Sequence, residues 1–367
     1  MLPPAPAAIP VVAAVKPAET RTVAPKRARR TPERLCYVLT LIGLAFLVPV
    51  IRMICGEDPR MQLRDLWRTL GVPLVSMACF VLAWSFFAGR IHTSLGQIPG
   101  PVAVLHQAGA LWADHKAERA KATAFYARQQ QLKAEQLAAD ANAATTIRRY
   151  TGKPTYIDQI LTSLKTVFAG FLFATLLAVP VGILCGMSRT MDAAFNPFVQ
   201  VFKPISPLAW LPIVTLIVSA VYVSEDPLFE KSFLVSSVTV ALCSLWPTVI
   251  NTSLGVASID RDLLNVAKVL RLNWRTRLMK LVLPSSLPLI FTGMRLSLGV
   301  GWMVLIAAEM LAQNPGLGKF VWDEFQNGSE ESMSRMLVAV LTIGIIGFVL
   351  DRVMLTLQSL TNFSSRR

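Results

Sequence analysis

The segment between residues 263 and 284 carries an unusual concentration of positive charge. Five cations lie within 13 residues of it: Lys268, Arg271, Arg275, Arg277 and Lys280. A cationic segment of this kind can bind acidic groups on a partner protein, or it can lie on a membrane surface that contains anionic lipid. Charge alone does not distinguish these two roles.

Apolar residues recur through the same segment at steps of three or four positions, which predicts one face of an α-helix. The predicted face consists of Leu263, Ala267, Leu270, Trp274, Leu278 and Leu281. Pro284 and Pro288 follow, and we expect them to end this helix. The sequence therefore predicts a single amphipathic helix with an apolar contact face.

A second group of candidates consists of polar residues within long apolar runs. Arg295 and Glu309 lie in the run 287–311, where a charge is costly and therefore a functional candidate. Arg295 suits an anion pathway, or it pairs near the membrane surface. Glu309 would repel an anion, which favours a hydrogen-bonding or gating role.

Uncharged donors could also replace part of an anion's hydration shell, although small polar residues equally serve helix packing. These candidates are Ser244, Trp246, Thr248, Asn251, Thr252, Ser297, Gly299, Gly301 and Trp302.

The sequence lacks the motifs of catalysis, metal binding and nucleotide binding. The five cysteines form no CxxC pair, and the three histidines have no metal-ligand spacing. GLGK (316–319) and TGKPT (151–155) both lack the frame of a phosphate-binding loop. We therefore predict no catalytic residue, no metal and no cofactor in this chain.

The composition indicates a membrane protein with several spans. Hydrophobic residues make up 53% of the 367 residues, charged residues only 16%, and the mean hydropathy is +0.51. Several runs reach the length of about 20 residues that a spanning helix needs. The net charge of +14 fits basic cytoplasmic loops better than nucleic-acid binding, because no basic and aromatic module is present.

These patterns predict an all-α, polytopic transmembrane helical bundle. The core has five spans, at 158–187, 208–223, 232–256, 287–311 and 336–357. The predicted division is a disordered basic Pro/Ala-rich tail (1–34), N-terminal apolar segments with one or two spans (35–97), an Ala-rich helical insertion (98–156), the core (157–360) and a tail (361–367).

Loop charges predict the orientation of these spans. Cations in 257–286 and at the C-terminus place both in the cytoplasm, and the insertion then lies outside. If 71–89 crosses and 35–54 is interfacial, the arginines between them and the basic tail are also inside. The length of 35–54 favours a second span, so both arrangements stay open. The long helix expected over 112–147 is either an arm that contacts a partner or a tolerated insertion.

The residue order around the cationic segment resembles the cytoplasmic loop of importer permeases of the ATP-binding cassette (ABC) superfamily. That loop begins Glu-Ala-Ala, has a glycine four residues later and ends near Leu-Pro. Asn265 to Ala267 stand at the first positions, Arg271 at the glycine, and Leu283 and Pro284 at the end.

DLLNVAKVLRL (262–272) is most similar to the nitrate, bicarbonate and cyanate branch, which is related to sulfonate and taurine permeases. Four further segments resemble that branch: KPISPLAWLPI (203–213), SLWPTVINTSLGV (244–256), FTGMRLSLGVGWMVLIAAEML (291–311) and GLGKFVWDEF (316–325).

The resemblance implies a type I importer permease in a bacterial inner membrane. The loop would be a coupling helix that docks on an ABC ATP-binding subunit, where ATP is bound. The other implied partners are an extracytoplasmic solute-binding protein, a second permease copy and membrane lipid. The substrate would be a small oxyanion, with nitrate first and sulfonate, taurine, bicarbonate or cyanate as alternatives. A self-sufficient secondary transporter or channel, and a membrane scaffold that uses the Ala-rich arm, remain open.

Overall fold

The computed structural model describes residues 36, 39, 47–55, 59–93, 96–139, 148, 150–223 and 228–364. The predicted tail at 1–34 and most of the run 35–46 lie outside these residues, as do the last three residues of the predicted tail at 361–367. The described residues form two compact units, which divide between Gly71 and Val72. Within the described residues nearly all regular structure is helical, which confirms the all-α prediction.

The first unit contains α1 (Leu47–Ile54), α2 (Pro59–Leu66) and a π-helical turn (Trp67–Gly71). The second begins with α3 (Val72–Ala88) and a hairpin of two short antiparallel strands, β1 (His92–Thr93) and β2 (Gly96–Gln97). Helix α4 (Pro101–Ala139) follows. It contains residues 112–139 of the segment expected to be a long helix, and it begins eleven residues earlier than predicted.

The remaining helices form the predicted core region. They are α5 (Tyr156–Met187), α6 (Arg189–Phe202), α7 (Pro207–Val221), α8 (Lys231–Ala257), α9 (Arg261–Val269), α10 (Trp274–Arg277), a π-helical turn (Leu278–Val282), α11 (Leu283–Ala312), α12 (Leu317–Asn327) and α13 (Glu330–Ser364). Helix α5 begins at a capping box, in which Thr155 and Asp158 each accept a hydrogen bond from the other's backbone N–H.

Five helical stretches of the described residues are long and apolar enough to cross a membrane. They are Pro59–Ala88, Tyr156–Met187, Lys231–Ala257, Trp274–Ala312 and Glu331–Leu360. Helices α6 and α7 bend by 102° at their break, as a broken span or a re-entrant loop would. The prediction that 208–223 crosses alone is wrong, because the 15 residues of α7 extend only about 22 Å. The core therefore has the five predicted crossings only if α6 and α7 together form one broken span.

Helices α5, α8 and α11 pack closely because glycines stand where their backbones approach. A Cβ at Gly170 of α5 would lie 2.6 Å from the Ser237 carbonyl oxygen on α8. A Cβ at Gly293 of α11 would lie 2.9 Å from Cα of Thr248. Small residues allow such approaches between membrane helices. The buried core extends from this trio to α13 through Leu305 and Trp302.

Polar contacts hold the middle third of α4 against the start of α5 and the residues just before it. His115 Nδ1 lies 2.7 Å from Thr155 Oγ1, and Arg119 pairs with Asp158. The Tyr150 hydroxyl donates to Glu118 Oε1 at 2.8 Å. This hydrogen bond lowers the pKa of Glu118 and raises the pKa of Tyr150. The middle of the long helix is therefore fixed at a defined position on the core.

Candidate functional site

The cationic segment folds as two helices and not as the single amphipathic helix that its periodicity predicts. Helix α9 ends at Val269, and α10 begins at Trp274. The proline prediction is also wrong. Pro284 lies just after the π-helical turn Leu278–Val282, whose altered hydrogen bonding accommodates the missing N–H, and Pro288 is accommodated inside α11. As a result, residues Trp274–Ala312 form one continuous helical stretch.

The break between α9 and α10 is a Schellman motif. The Arg271 N–H donates to the Lys268 carbonyl at 3.0 Å, and the Leu272 N–H donates to the Ala267 carbonyl at 3.0 Å. Arg271 has a φ of 48°, in the left-handed region that favours glycine. This is the position at which the resembled loop carries glycine. The turn therefore keeps its geometry here at the cost of a strained arginine.

The apolar residues of the segment divide between two directions. Ala267 is 4% exposed, and Leu264 and Leu278 pack against a buried cluster that includes Val282. Leu270 is 63% exposed and Trp274 is 58% exposed. Asn265 and Pro284 are exposed and Leu283 is half-buried. One side thus fixes the segment to the core, and the other side presents Leu270 and Trp274.

Three of the predicted path residues, Arg295, Gly299 and Trp302, line one cavity of about 230 Å³. Its other lining residues are Leu298, Gly347, Leu350 and Asp351. Arg295 forms a two-pronged ion pair with Asp351, with Nε to Oδ1 at 2.6 Å and Nη2 to Oδ2 at 3.0 Å. The Trp302 indole N–H donates to the Ile343 carbonyl at 3.0 Å. The cavity therefore contains a guanidinium whose carboxylate partner lies on α13.

The other uncharged candidates lie between packed helices. Ser244, Thr252 and Ser297 are buried, and Thr248 Oγ1 lies 2.7 Å from Ser297 Oγ. Asn251 donates to a carbonyl of its own helix, that of Pro247, at 2.8 Å. These positions lie where α8 approaches α11 closely, except Thr252, which faces Gly182 of α5.

Trp246 is half-buried and stacks on Phe202, with ring centroids 6.1 Å apart. Phe202 also stacks on Trp210, at 5.8 Å. Trp246 therefore belongs to an aromatic group that joins the bent pair α6–α7 to α8.

Glu309 is fully buried and accepts hydrogen bonds from two other parts of the chain. The Ser163 hydroxyl of α5 lies 2.9 Å from Oε1 and 2.8 Å from Oε2, and the Gly318 N–H donates to Oε2 at 2.9 Å. Ser163 Oγ also accepts the Leu317 N–H at 2.8 Å. A Cβ at Gly316 would overlap the carboxylate. Glu309 thus ties the end of α11 to the start of α12 and to α5.

Sequence reasoning missed the partners in these two networks. Asp351, Ser163 and Gly318 are not among the candidates named from the sequence. The one available signal was that Asp351 interrupts an apolar run, as Arg295 does. A pairing across 56 residues has no local pattern that could reveal it.

Comparison with known proteins gives a consistent result. Residues 178–361 match the family model described as "binding-protein-dependent transport system inner membrane component". The nitrate import permease protein NrtB of Synechococcus elongatus is 33% identical over 208 residues, which cover 57% of this chain and 71% of that protein. The bicarbonate transport system permease protein CmpB of the same species is 37% identical over 201 residues, covering 54% and 67%.

One solved structure in the comparison is the MetNI methionine ABC transporter in an inward-facing conformation. Its similarity has a TM-score of 0.48 at 15% sequence identity, over 56% of this chain and 95% of that chain.

The geometry at Arg271 predicts that glycine will stabilise the turn. Arg271→Gly and Arg271→Ala remove the same charge, but only glycine relieves the left-handed conformation, by about 1 kcal/mol. Hydrogen exchange at the amides of residues 271 and 272 should be about fivefold slower in the glycine variant than in the alanine variant. Equal exchange rates in the two variants would contradict the assigned conformation.

The network at Glu309 predicts a specific role for Ser163. Ser163→Ala leaves the Leu317 N–H without its acceptor and removes a donor from the carboxylate, at a cost of about 1–3 kcal/mol. Thermal unfolding in detergent should show a lower Tm. Ser258→Ala is the matched control, because that hydroxyl donates only within its own turn, to Gly255 at 3.0 Å. Equal Tm values for both variants would argue against the network.

Proposed function

This chain belongs to the family of binding-protein-dependent transport system inner membrane components, and we propose that it forms the translocation path for nitrate in an ATP-driven importer. As a permease subunit of an ABC importer it is a multi-pass inner-membrane protein and not an enzyme. ATP hydrolysis lies in a separate subunit. The family also implies an ATP-binding subunit and a substrate-binding protein as partners.

The cavity beside Arg295 is the observation that supports an anionic substrate. A guanidinium presents paired N–H donors that fit two oxygens of a planar oxyanion, just as they fit the Asp351 carboxylate. An entering anion can take the place of that carboxylate without leaving the guanidinium unpaired. Trp302 and Leu298 supply apolar walls that reduce competition from water.

Bicarbonate is the second candidate substrate. It shares with nitrate a planar arrangement of three oxygens and a single negative charge, so the same guanidinium fits both. The similarity to a bicarbonate permease at 37% identity supports it directly. Sulfonates and taurine have a tetrahedral sulfur and a larger head group, which match the paired donors less well.

The exposed residues of the cationic segment support a coupling role. Leu270 and Trp274 are exposed at the turn between α9 and α10, where an ATP-binding subunit can pack against them. The nearby cations can pair with acidic groups of that subunit. We place this segment, 257–286, in the cytoplasm and α4 on the opposite side, on the basis of loop charge. A second copy of the chain completes the proposed transporter.

The coupling proposal predicts that charge on the exposed apolar pair will prevent docking. The double variant Leu270→Asp, Trp274→Asp should lose co-purification with the ATP-binding subunit, because two buried carboxylates at an interface cost several kcal/mol. Its Tm should match the wild type, since both side chains are exposed in the isolated chain. Leu105→Asp on α4 is the control, because this leucine lies outside the segment and is at least as exposed as Leu270. Retained co-purification of the double variant would count against the assignment.

Nitrate uptake tests the role of Arg295. In proteoliposomes that contain the assembled importer, Arg295→Gln should lower ATP-dependent uptake about tenfold or more, as expected for loss of a charged hydrogen-bond pair. Arg295→Lys keeps the charge but not the paired donors, so its uptake should be intermediate. Binding of the ATP-binding subunit should not change in either variant.

A second variant separates recognition of the anion from structural pairing. Arg295→Gln with Asp351→Asn leaves no unpaired carboxylate. If the double variant recovers wild-type uptake, Arg295 only neutralises Asp351 and does not contact the anion. Nitrate uptake by the isolated chain, without an ATP-binding subunit, would instead support a secondary transporter.

A further inference from the structure

A groove of about 610 Å³ runs along α2 and the π-helical turn that follows it. It is lined by Arg60, Leu63, Arg64, Leu66, Trp67, Leu70 and Gly71. Two cations therefore stand at one end, and a leucine and tryptophan surface continues from them. Leu63 is 61% exposed and Trp67 is 60% exposed, so this apolar surface is open within the chain.

The indole of Trp67 has a defined position although it is exposed. It packs on the backbone of Gly71, where a Cβ would overlap the indole ring. The π-helical turn Trp67–Gly71 brings the two residues together. The aromatic wall of the groove is thus built into the backbone, and a side chain at residue 71 would displace it.

The two arginines are available to an anion. Arg60 and Arg64 are four residues apart on α2, so they project from the same face of the helix. In the described part of the chain neither guanidinium is paired with a carboxylate. Asp65 is exposed and does not line the groove.

The position of the groove along the chain indicates the depth at which it lies. The 21 residues from Thr69 to Gly89 contain no charged side chain, and as a helix they would extend about 31 Å, the thickness of the hydrocarbon layer. The candidate span Pro59–Ala88 includes most of this run. Arginines just before such a run lie at the level of lipid headgroups.

We propose that this groove binds an anionic phospholipid, with the phosphate between Arg60 and Arg64 and an acyl chain along Trp67 and Leu70. The combination of a paired cation site and a continuous apolar wall matches a lipid, because a soluble anion would use only the first part. No residue that lines this groove belongs to the coupling segment or to the cavity at Arg295.

Lipid retention by the purified full-length chain tests this site. The protein is equilibrated in detergent micelles that contain equal amounts of phosphatidylglycerol and phosphatidylcholine, and bound lipid is counted by native mass spectrometry. Wild-type protein should retain phosphatidylglycerol preferentially. Arg60→Gln with Arg64→Gln should reduce that preference about 25-fold, since each basic residue contributes about fivefold.

Three comparisons determine the outcome. Arg60→Lys with Arg64→Lys should keep most of the preference, and Arg128→Gln with Lys133→Gln on α4 should keep all of it despite the same loss of charge. Gly71→Leu should weaken lipid retention by displacing Trp67.

Equal preference in wild type and the Arg60/Arg64 glutamine variant would overturn the proposal, as would an equal loss in the α4 control. If wild-type protein binds glycerol phosphate as tightly as the lipid, the site is one for a soluble anion. If the Arg60/Arg64 glutamine variant retains lipid as the wild type does but loses a protein partner, the groove is a protein-docking surface.

Discussion

A buried carboxylate that must be hydrogen-bonded determines how one end of the core is built. Glu309 is fully buried on α11, and an unpaired charge or acid group there would be strongly destabilising. Its acceptors are satisfied by Ser163 of α5 and by the Gly318 N–H at the start of α12. Gly316 provides the space that the carboxylate occupies. Three helices are consequently held in a fixed arrangement at this end.

The opposite end of the same helical stretch is the cationic segment. The continuous helix Trp274–Ala312 begins at an exposed tryptophan, passes Arg295 and Trp302 beside the cavity and reaches the Glu309 network in its last turn. A displacement applied at Trp274 would therefore be carried along this helix. Close packing against α8 through Gly293 favours movement of packed units over continuous bending. In our account, this continuous helix transmits a displacement produced by a separate ATP-binding subunit to the proposed anion path.

Local sequence patterns were enough to predict the helices but not the ways in which they break and pair. Long apolar runs between charged loops predicted the helical, multi-span fold, and the residue order around 262–272 identified the family. The periodicity did not predict the helix break at Arg271. The spacing of three to four residues between apolar positions continues through the Schellman turn, and an arginine does not indicate a positive φ. Proline failed as a stop signal at Pro284, because the π-helical turn before it accommodates the missing N–H.

The candidate path residues show the same limit. Arg295 and Trp302 line one cavity, whereas Ser244, Thr252 and Ser297 are buried in helix contacts. Both groups lie on apolar helices with similar neighbours in the sequence. What distinguishes them is the helix that each faces, and this depends on long-range packing. Asp351 could be recognised as a charge in an apolar run, but its pairing with Arg295 depends on how α13 crosses α11.

The most direct test of the central claim is a distance measurement along the stretch Trp274–Ala312 in the assembled transporter. Spin labels at Arg275 and Leu311, both exposed, would be about 54 Å apart along the helix. Our account predicts the same narrow distance distribution without nucleotide and with ATP bound, under conditions in which uptake depends on ATP. A shift of several ångströms, or marked broadening with ATP, would show that the helix bends at its π-helical turn and would contradict transmission along a rigid helix.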